Sequence, residues 1–271
     1  MLALLASQDD DGNPVAIRVR GGYPADVCFS LKDLGDMSSR SPERQEENAA
    51  NRRAFFDLMG LNIHKQVRLT PQHQSSVKQV WSNHDAGAEI ACDAIFTIDQ
   101  SLVLTILAAD ALPVVVTDHR GSFLFLINGS IWSTDRGIVG NAVQRIRSEL
   151  SVDPTQLEVM LGPGICRLCY VSDVHKESGE KFKSMESWTP YITESPKGNH
   201  INLKGFIVDR LVEEGVPEGQ IHDLNLCTWH GEVIEGSGYS FFSNLRSSRT
   251  GEEEGRFVFA TTLTRRAVPL P

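Results

Sequence analysis

The spacing of apolar positions divides the chain into short buried runs and a few amphipathic segments. Val103 to Leu107 and Pro113 to Thr117 are unbroken apolar runs of strand length, and both predict buried strands. Asp118-His119-Arg120-Gly121 predicts the turn that follows, and Phe123 to Ile127 the next strand. After Asn128 and Gly129 the period changes. Ile138, Val139, Ala142, Val143 and Ile146 recur on one face, which predicts a helix from about Thr134 to Leu150. Leu157 to Leu161 predicts a strand that ends in the turn Gly162-Pro163-Gly164. Leu203, Phe206, Ile207 and Leu211 mark a further amphipathic helix, stopped by Gly215 and Pro217. Ile221 to Leu226 and Phe257 to Thr262 predict the remaining strands of this half.

Upstream, Ser41 reads as an N-cap and Pro42 as the first helical residue, with Glu43, Glu46 and Glu47 near the positive end of the dipole. Ala54, Phe55, Leu58 and Met59 then form the apolar face, and Gly60 ends the helix. Two stretches lack a period: residues 176–200 predict a long loop or lid, and Gly231 to Gly238 a flexible loop. Strands and helices mix without strict alternation. That predicts an α/β fold with mixed β-sheets flanked by helices, in one domain over 1–271.

Composition narrows the class. Apolar residues make up 41% and charged residues 23%, as in a soluble globular protein. The net charge of −9 argues against nucleic acid or an anionic membrane as partner, but leaves room for a small anion in a local basic pocket. The longest apolar stretch, Ser101 to Val116, is interrupted by Asp110 and Pro113 and is too short to span a bilayer. Met1 to Ala6 is too short for the core of a signal peptide. Five widely spread cysteines then read as reduced thiols of a cytoplasmic protein, and the Asn-Gly-Ser sequon at Asn128 carries little weight.

Several residues carry candidate chemistry. Cys166 and Cys169 form a Cys-x-x-Cys pair, which could be half of a zinc site or, in a thioredoxin-like context that is not seen here, a redox motif. No second Cys-x-x-Cys exists, and the pair reads as structural. His73 precedes a predicted strand, where a hydrogen-bonded histidine is the ordinary case and a metal ligand the special one. Asp110 lies between two apolar strands, where a charge is costly unless paired or solvated; this fits a strand end facing a pocket, as cap or as functional group. Asn128 and Gly129 stand where a strand hands over to a helix, a common place for ligand-binding groups and equally a plain turn. Arg246, Arg249 and Arg256 follow Phe241-Phe242-Ser243; arginines near Gly-rich turns grip phosphate, and solvated surface charge is the favoured reading.

Taken in order, these segments resemble one family. It starts at Phe29-Ser30-Leu31-Lys32-Asp33-Leu34-Gly35 and continues through Asn51-Arg52, Gly60-Leu61, Asp93-Ala94-Ile95-Phe96-Thr97, Ala109-Asp110-Ala111-Leu112-Pro113 and Gly137-Ile138-Val139. Gly162-Pro163-Gly164-Ile165, Cys169-Tyr170, Cys227-Thr228, Phe241-Phe242-Ser243 and Gly255-Arg256 follow in the same order. Each is weak alone; their joint order from about Phe29 to Leu263 is specific. The chain is similar to the laccase-domain family, first described as multicopper polyphenol oxidases and later as zinc-dependent purine nucleoside phosphorylases. The resemblance implies a layered α/β/β/α fold. It also implies a zinc site made of His, Cys and His. Here His73 matches the first ligand, Ala111 stands at the second and Asn128 at the third, while Lys32 replaces an arginine of the first motif. His119 lies across a turn and is no replacement.

In that family the metal is assigned to activate water or phosphate for attack at a purine nucleoside, in phosphorolysis of adenosine, inosine and methylthioadenosine and in adenosine deamination. A Lewis acid lowers the pKa of bound water from about 16 to about 7, and without one the nucleophile at neutral pH is lost. The resemblance with its gaps therefore implies a member with altered or lost catalysis that still holds a purine nucleoside, with phosphate as a second ligand and no metal cofactor. His73, Asp110 and Asn128 are the catalytic candidates, and Lys32, Arg246 and Cys227 the ligand-binding ones. One alternative is a metal-independent phosphorylase or hydrolase with His73 or Asp110 as general base, Cys227 being a weaker candidate nucleophile. Another is a non-catalytic interaction protein whose old pocket is filled by side chains such as Trp132. Copper-dependent phenol oxidation is disfavoured, because the ligand set cannot assemble a multicopper centre. The oligomeric state stays open.

Overall fold

The three-dimensional structure, a computed structural model, describes residues 2–38, 42–172, 185–232 and 240–264. In chain order its strands are β1 (Ala3–Gln8), β2 (Pro14–Arg20), β3 (Ala25–Ser30), β4 (Gln66–Thr70), β5 (Val77–Gln79), β6 (Glu89–Ala91), β7 (Ala94–Thr97) and β8 (Val103–Ala108). There follow β9 (Leu112–Asp118), β10 (Leu124–Gly129), β11 (Leu157–Leu161), β12 (Val171–Ser172), β13 (Ile192–Ser195), β14 (Gly198–Ile201), β15 (Ile221–Asp223) and β16 (Phe257–Leu263). The α-helices are α1 (Gln45–Leu58), α2 (Ile131–Asp135), α3 (Ile138–Leu150), α4 (Met185–Trp188), α5 (Leu203–Glu213) and α6 (Asn244–Thr250).

Two large mixed sheets form the centre. The first runs β1-β2-β3-β16-β8-β4-β6 and the second β15-β11-β9-β10-β7-β5. Three apolar clusters show how the layers stack. Phe55, Phe56 and Met59 of the α1 region pack on Ala16, Cys28, Val103, Val258 and Ala260 of the first sheet. Phe29, Leu104, Ile106 and Phe259 of the first sheet meet Ile95, Val115, Leu124, Leu126 and Met160 of the second. The outer face of the second sheet, with Phe96, Val114, Val116 and Phe125, is covered by Ile138, Ala142, Val143 and Ile146 of α3 and by Phe206, Ile207 and Leu211 of α5. The order is therefore α/β/β/α, as expected. Strands buried on both faces read as continuous apolar runs because no face is left for water.

One feature of the topology positions His73, Asp93 and Asp110. β4, β6 and β8 lie side by side and parallel in the first sheet. Each is followed directly in sequence by a strand of the second sheet, β5, β7 and β9. Parallel strands end at the same edge, so the chain crosses from sheet to sheet three times at one end of the sandwich. Residues 71–76, Cys92-Asp93 and Ala109-Asp110-Ala111 are the three crossings.

The structure departs from the sequence reading in four places. The helix expected from Thr134 is two helices, because Gly137 has φ 84° and cannot continue one; a capping box of Ser130 and Ser133 starts α2 earlier. Phe56, not Leu58, completes the buried face of α1, which begins at Gln45 after a short 3-10 turn; Ser41 lies outside the described residues. Of the irregular stretch expected over 176–200, residues 185–200 hold α4 and the hairpin of β13 and β14, whose turn is Pro196-Lys197. Trp188 is fully buried there, stacked on Phe206 at 4.0 Å and donating to Asp135 at 2.9 Å. Residues 176–184 and 233–238 lie outside the described residues. The strand from Ile221 stops at Asp223, and Asn225 turns the chain with φ 53°. No described helix is long and apolar enough to cross a membrane.

Gly129 ends β10 where a Cβ would lie 2.6 Å from the Leu112 carbonyl oxygen and 2.9 Å from Ile207 Cδ1. Backbone cannot yield as a flexible side chain does. Gly129→Ala is therefore expected to lower the unfolding free energy by about 1–3 kcal/mol in urea titration. Gly219→Ala, with nothing within 4 Å of its Cβ, is expected to change it by less than about 0.5 kcal/mol.

Candidate functional site

The first crossing carries His73, held with φ 55°. Its neighbours are fixed by the fully buried Asp93 of the second crossing, whose carboxylate accepts the Gln72 and Gln74 amides at 3.1 and 3.0 Å and the Ser76 hydroxyl at 3.4 Å. The Asp93 carbonyl accepts the Asn128 amide at 2.8 Å, tying β10 to the same point. The His73 ring places Nδ1 3.1 Å from Ser130 Oγ, and the Arg136 guanidinium donates to the His73 carbonyl. Ser130 is itself the N-cap of α2, accepting the Ser133 amide at 3.2 Å. A signal for Asp93 lay in the sequence as an acid between Cys92 and an apolar strand, but sequence reasoning gave it no role.

The third crossing carries Asp110 at φ 81°. Its carboxylate accepts the Thr228 hydroxyl and the Leu245 amide, each at 2.7 Å, and its carbonyl accepts the Ile165 amide at 3.0 Å. Leu245 is in the first turn of α6, so Asp110 satisfies one of that helix's orphan donors. Non-glycine residues with positive φ are uncommon and collect at functional sites. Among the described residues four have it, and two of those face each other here. Between them lies a cavity of about 240 Å³, lined by His73, Asp110, Ser130 and Asn244 on its polar side. Ile131, Ile165, Tyr170, Leu203 and Leu245 form most of the rest, with Ala109 and Ala111. The pocket is open, whereas the non-catalytic reading expected it filled; Trp132 packs against the outer core instead.

The other candidates lie elsewhere. Asn128 is a buried strand residue opposite Pro113 and is not part of the cavity lining. Its Nδ2 has no hydrogen-bond partner among the described residues. Lys32 lies 3.5 Å from Glu252 and over the Phe242 ring. Arg246, expected at the surface or on a ligand, is 2% exposed. It donates to the Thr228 and Phe241 carbonyls at 2.8 and 2.7 Å and pairs with the same Glu252. Arg249 donates to the Val171 carbonyl, and Arg256 to the Gly255 carbonyl and to Glu254. Arg246 is thus a buried clamp on backbone carbonyls rather than solvated charge, whereas Arg249 is exposed, as the surface reading expected, and Arg256 is half-buried. A planar fork suits that task, since several carbonyls converge on it. His119 bonds Glu158 at 2.9 Å near the far end of β9 from the cavity.

Cys227 belongs to a different group. Its sulfur, those of Cys166 and Cys169, and an imidazole nitrogen of His230 all lie within 4.8 Å of one another. All five cysteines are free thiols. A hydrogen bond from the Cys227 thiol holds Cys166 down to about 7 and pushes Cys227 itself upward, while burial raises Cys169 to about 11. Three sulfurs and an imidazole are a donor set that could hold a metal ion. The expectation that no metal belongs to this chain is therefore not supported. Sequence reasoning sought a second Cys-x-x-Cys and passed over Cys227-Thr228-Trp229-His230, where histidine takes the last place.

A family model described as multi-copper polyphenol oxidoreductase laccase matches residues 21–263. The chain belongs to this family. A purine nucleoside phosphorylase of Corynebacterium glutamicum is 26% identical over 255 residues, covering 92% of this chain and 96% of that one. Another, of Staphylococcus saprophyticus, is 29% identical over 216 residues, covering 76% and 77%. The crystal structure of YlmD from Geobacillus stearothermophilus superposes with a TM-score of 0.79 at 18% identity, over 97% of this chain and 100% of that one. YfiH of Bacillus licheniformis gives 0.77 at 21%, over 93% and 97%. At these identities the two structures establish the shared fold.

Set in the family's frame, the residues present do not fit its metal. Of the three positions that the resemblance implies as ligands, only His73 offers a donor at the cavity. Ala111 contributes a methyl group, and Asn128 is buried out of the lining with a carboxamide. One imidazole cannot assemble the three-ligand open site that catalytic zinc requires.

Asp110 carries load as well as facing the cavity. Asp110→Ala loses two charge-assisted hydrogen bonds and puts an alanine at positive φ, and is expected to cost about 2–5 kcal/mol in urea unfolding. Asp110→Asn keeps one acceptor, tolerates the backbone angle and lets Thr228 reverse its hydroxyl, so its expected cost is under about 1.5 kcal/mol. An alanine variant as stable as the parent would remove the structural role.

Proposed function

We propose that this chain is a purine-nucleoside-binding member of the family whose zinc-dependent catalysis is altered or lost. The observation that carries the reading is the cavity between His73 and Asp110, kept open although two of the three metal ligands at its end are replaced. A pocket needs mostly apolar walls and a few convergent polar groups. Ile131, Ile165, Leu203 and Leu245 offer such walls to a flat heteroaromatic base. Asp110 has lone pairs left to accept ribose hydroxyls, and His73 and Asn244 supply hydrogen bonds to ring nitrogens. The names of the relatives supply the purine nucleoside as the ligand class.

Phosphate fits this site poorly. The lining residues include no Lys or Arg, and Asp110 would repel an anion. Lys32 and Arg246 share Glu252 instead. A nucleoside is therefore favoured over a nucleotide, and among the described residues the lining offers no cation to hold the phosphate of a phosphorylase.

A second reading has its own support in the pair His73 Nδ1 and Ser130 Oγ, 3.1 Å apart. There the imidazole takes a proton from water, or from water through Ser130, and the glycosidic bond is hydrolysed without metal. Water supplies the nucleophile, and the base leaves with the proton.

Isothermal titration with adenosine, inosine and phosphate separates these readings. Binding of a nucleoside without phosphate, weakened about tenfold or more in His73→Ala, is the expected result. No heat with either nucleoside would sink the binding proposal. Free base released without phosphate, and lost in His73→Ala, would establish the hydrolase; release that requires phosphate would restore the phosphorylase.

A further inference from the structure

Beside the cavity two tight turns face each other. In the first, the Cys169 and Tyr170 amides both donate to the Cys166 carbonyl, at 3.0 and 2.9 Å. In the second, the Gly231 amide donates to the Cys227 carbonyl at 2.7 Å. A parallel bridge joins Gly164 to Cys227, and the Gly164 and Thr228 amides donate across the seam at 3.1 and 3.2 Å. Each turn thus presents two ligands to one point, in Cys-x-x-Cys and Cys-x-x-His spacing.

We propose that Cys166, Cys169, Cys227 and His230 bind one zinc ion as a closed structural site. Their ligand atoms lie within 4.8 Å of one another. Tetrahedral zinc, with bonds of about 2.3 Å to sulfur, holds sulfurs about 3.8 Å apart, so a small inward shift completes the shell. Cys169 Sγ already lies 3.0 Å from His230 Nδ1, and the Cys166 amide donates to Cys227 Sγ at 3.4 Å, a contact that supports a bound thiolate. Three sulfurs and an imidazole suit zinc and reject magnesium and calcium, which take oxygen. Four protein ligands leave no position for water, so the ion fixes structure and does not activate a nucleophile.

Its place in the fold gives it a task. Ile165 and Tyr170 flank the first turn and line the cavity, and Thr228, inside the second, donates to Asp110. The ion locks two walls of the cavity to each other. The proposal stands whatever the cavity binds.

The test uses the full chain, purified without chelator from zinc-supplemented culture and measured by inductively coupled plasma mass spectrometry. About one zinc per chain is expected, and cobalt in its place gives thiolate charge-transfer and tetrahedral ligand-field bands. Cys169→Ser and Cys227→Ser are expected to hold less than about a tenth of that zinc, while His230→Cys and His73→Ala keep it. Because a cysteine variant can fail to fold, the parent chain is also titrated with a mercurial, which must release its zinc as the thiols react. The proposal is overturned by a parent chain with no zinc and no cobalt bands, by a disulfide among the three cysteines in place of metal, or by loss of the zinc in His73→Ala.

Discussion

Three parallel strands that each hand the chain to the opposite sheet at one end set the terms for this molecule. At every crossing the backbone leaves its ladder, and the polar groups freed there must find partners away from bulk water. Asp93 and Asp110 supply them. One accepts the amides on both sides of His73, and the other ties Thr228 and Leu245 to the third crossing. Each carboxylate is in turn held by donors that offset its desolvation. The cavity is the space these two ties keep open.

This arrangement makes the fold independent of the side chains at Ala111 and Asn128. The side chains at the ligand positions that the resemblance implies are not the ones that hold the crossings. Ala111 adjoins the hub at Asp110 without sharing its hydrogen bonds, and Asn128 keeps its place in β10 through backbone pairing with Pro113 and Asp93. The substitution at Asn128 has a cost of its own, since a buried amide nitrogen without a partner is destabilising by about 1–3 kcal/mol. A scaffold secured by backbone-directed carboxylates tolerates that loss.

What the sequence made legible was whatever depends on local period. Ile138 to Ile146, Leu157 to Leu161 and Leu203 to Leu211 were readable because a buried face repeats at the spacing of its own backbone. Helix breaks were harder, since Gly137 interrupts a period that continues on both sides of it. The hairpin of β13 and β14 has too few apolar residues to show alternation, and its turn residues read as breakers. Arg246 could not be placed from sequence at all. Whether a guanidinium meets solvent or three carbonyls depends on loops far from it in the chain. The same holds for the sulfur group, whose halves come from segments brought together by the Gly164–Cys227 bridge.

The cavity and the sulfur group are best understood as one mechanical unit with two kinds of donor. Ile165 and Cys166 are neighbours, as are Cys169 and Tyr170 and Cys227 and Thr228, so each turn has one residue on the cavity or on Asp110 and another in the cluster. Arg246 adds a third fastening through the Thr228 carbonyl, with Glu252 balancing its charge. Rigidity at this seam fixes where Asp110 points, because its carboxylate takes the Thr228 hydroxyl as one of two anchors. Anything that loosens the seam therefore acts on the cavity both through Asp110 and through the lining residues Ile165 and Tyr170. Conversely, a ligand drawing on the free lone pairs of Asp110 pulls on the same turns that carry the four metal-type ligands.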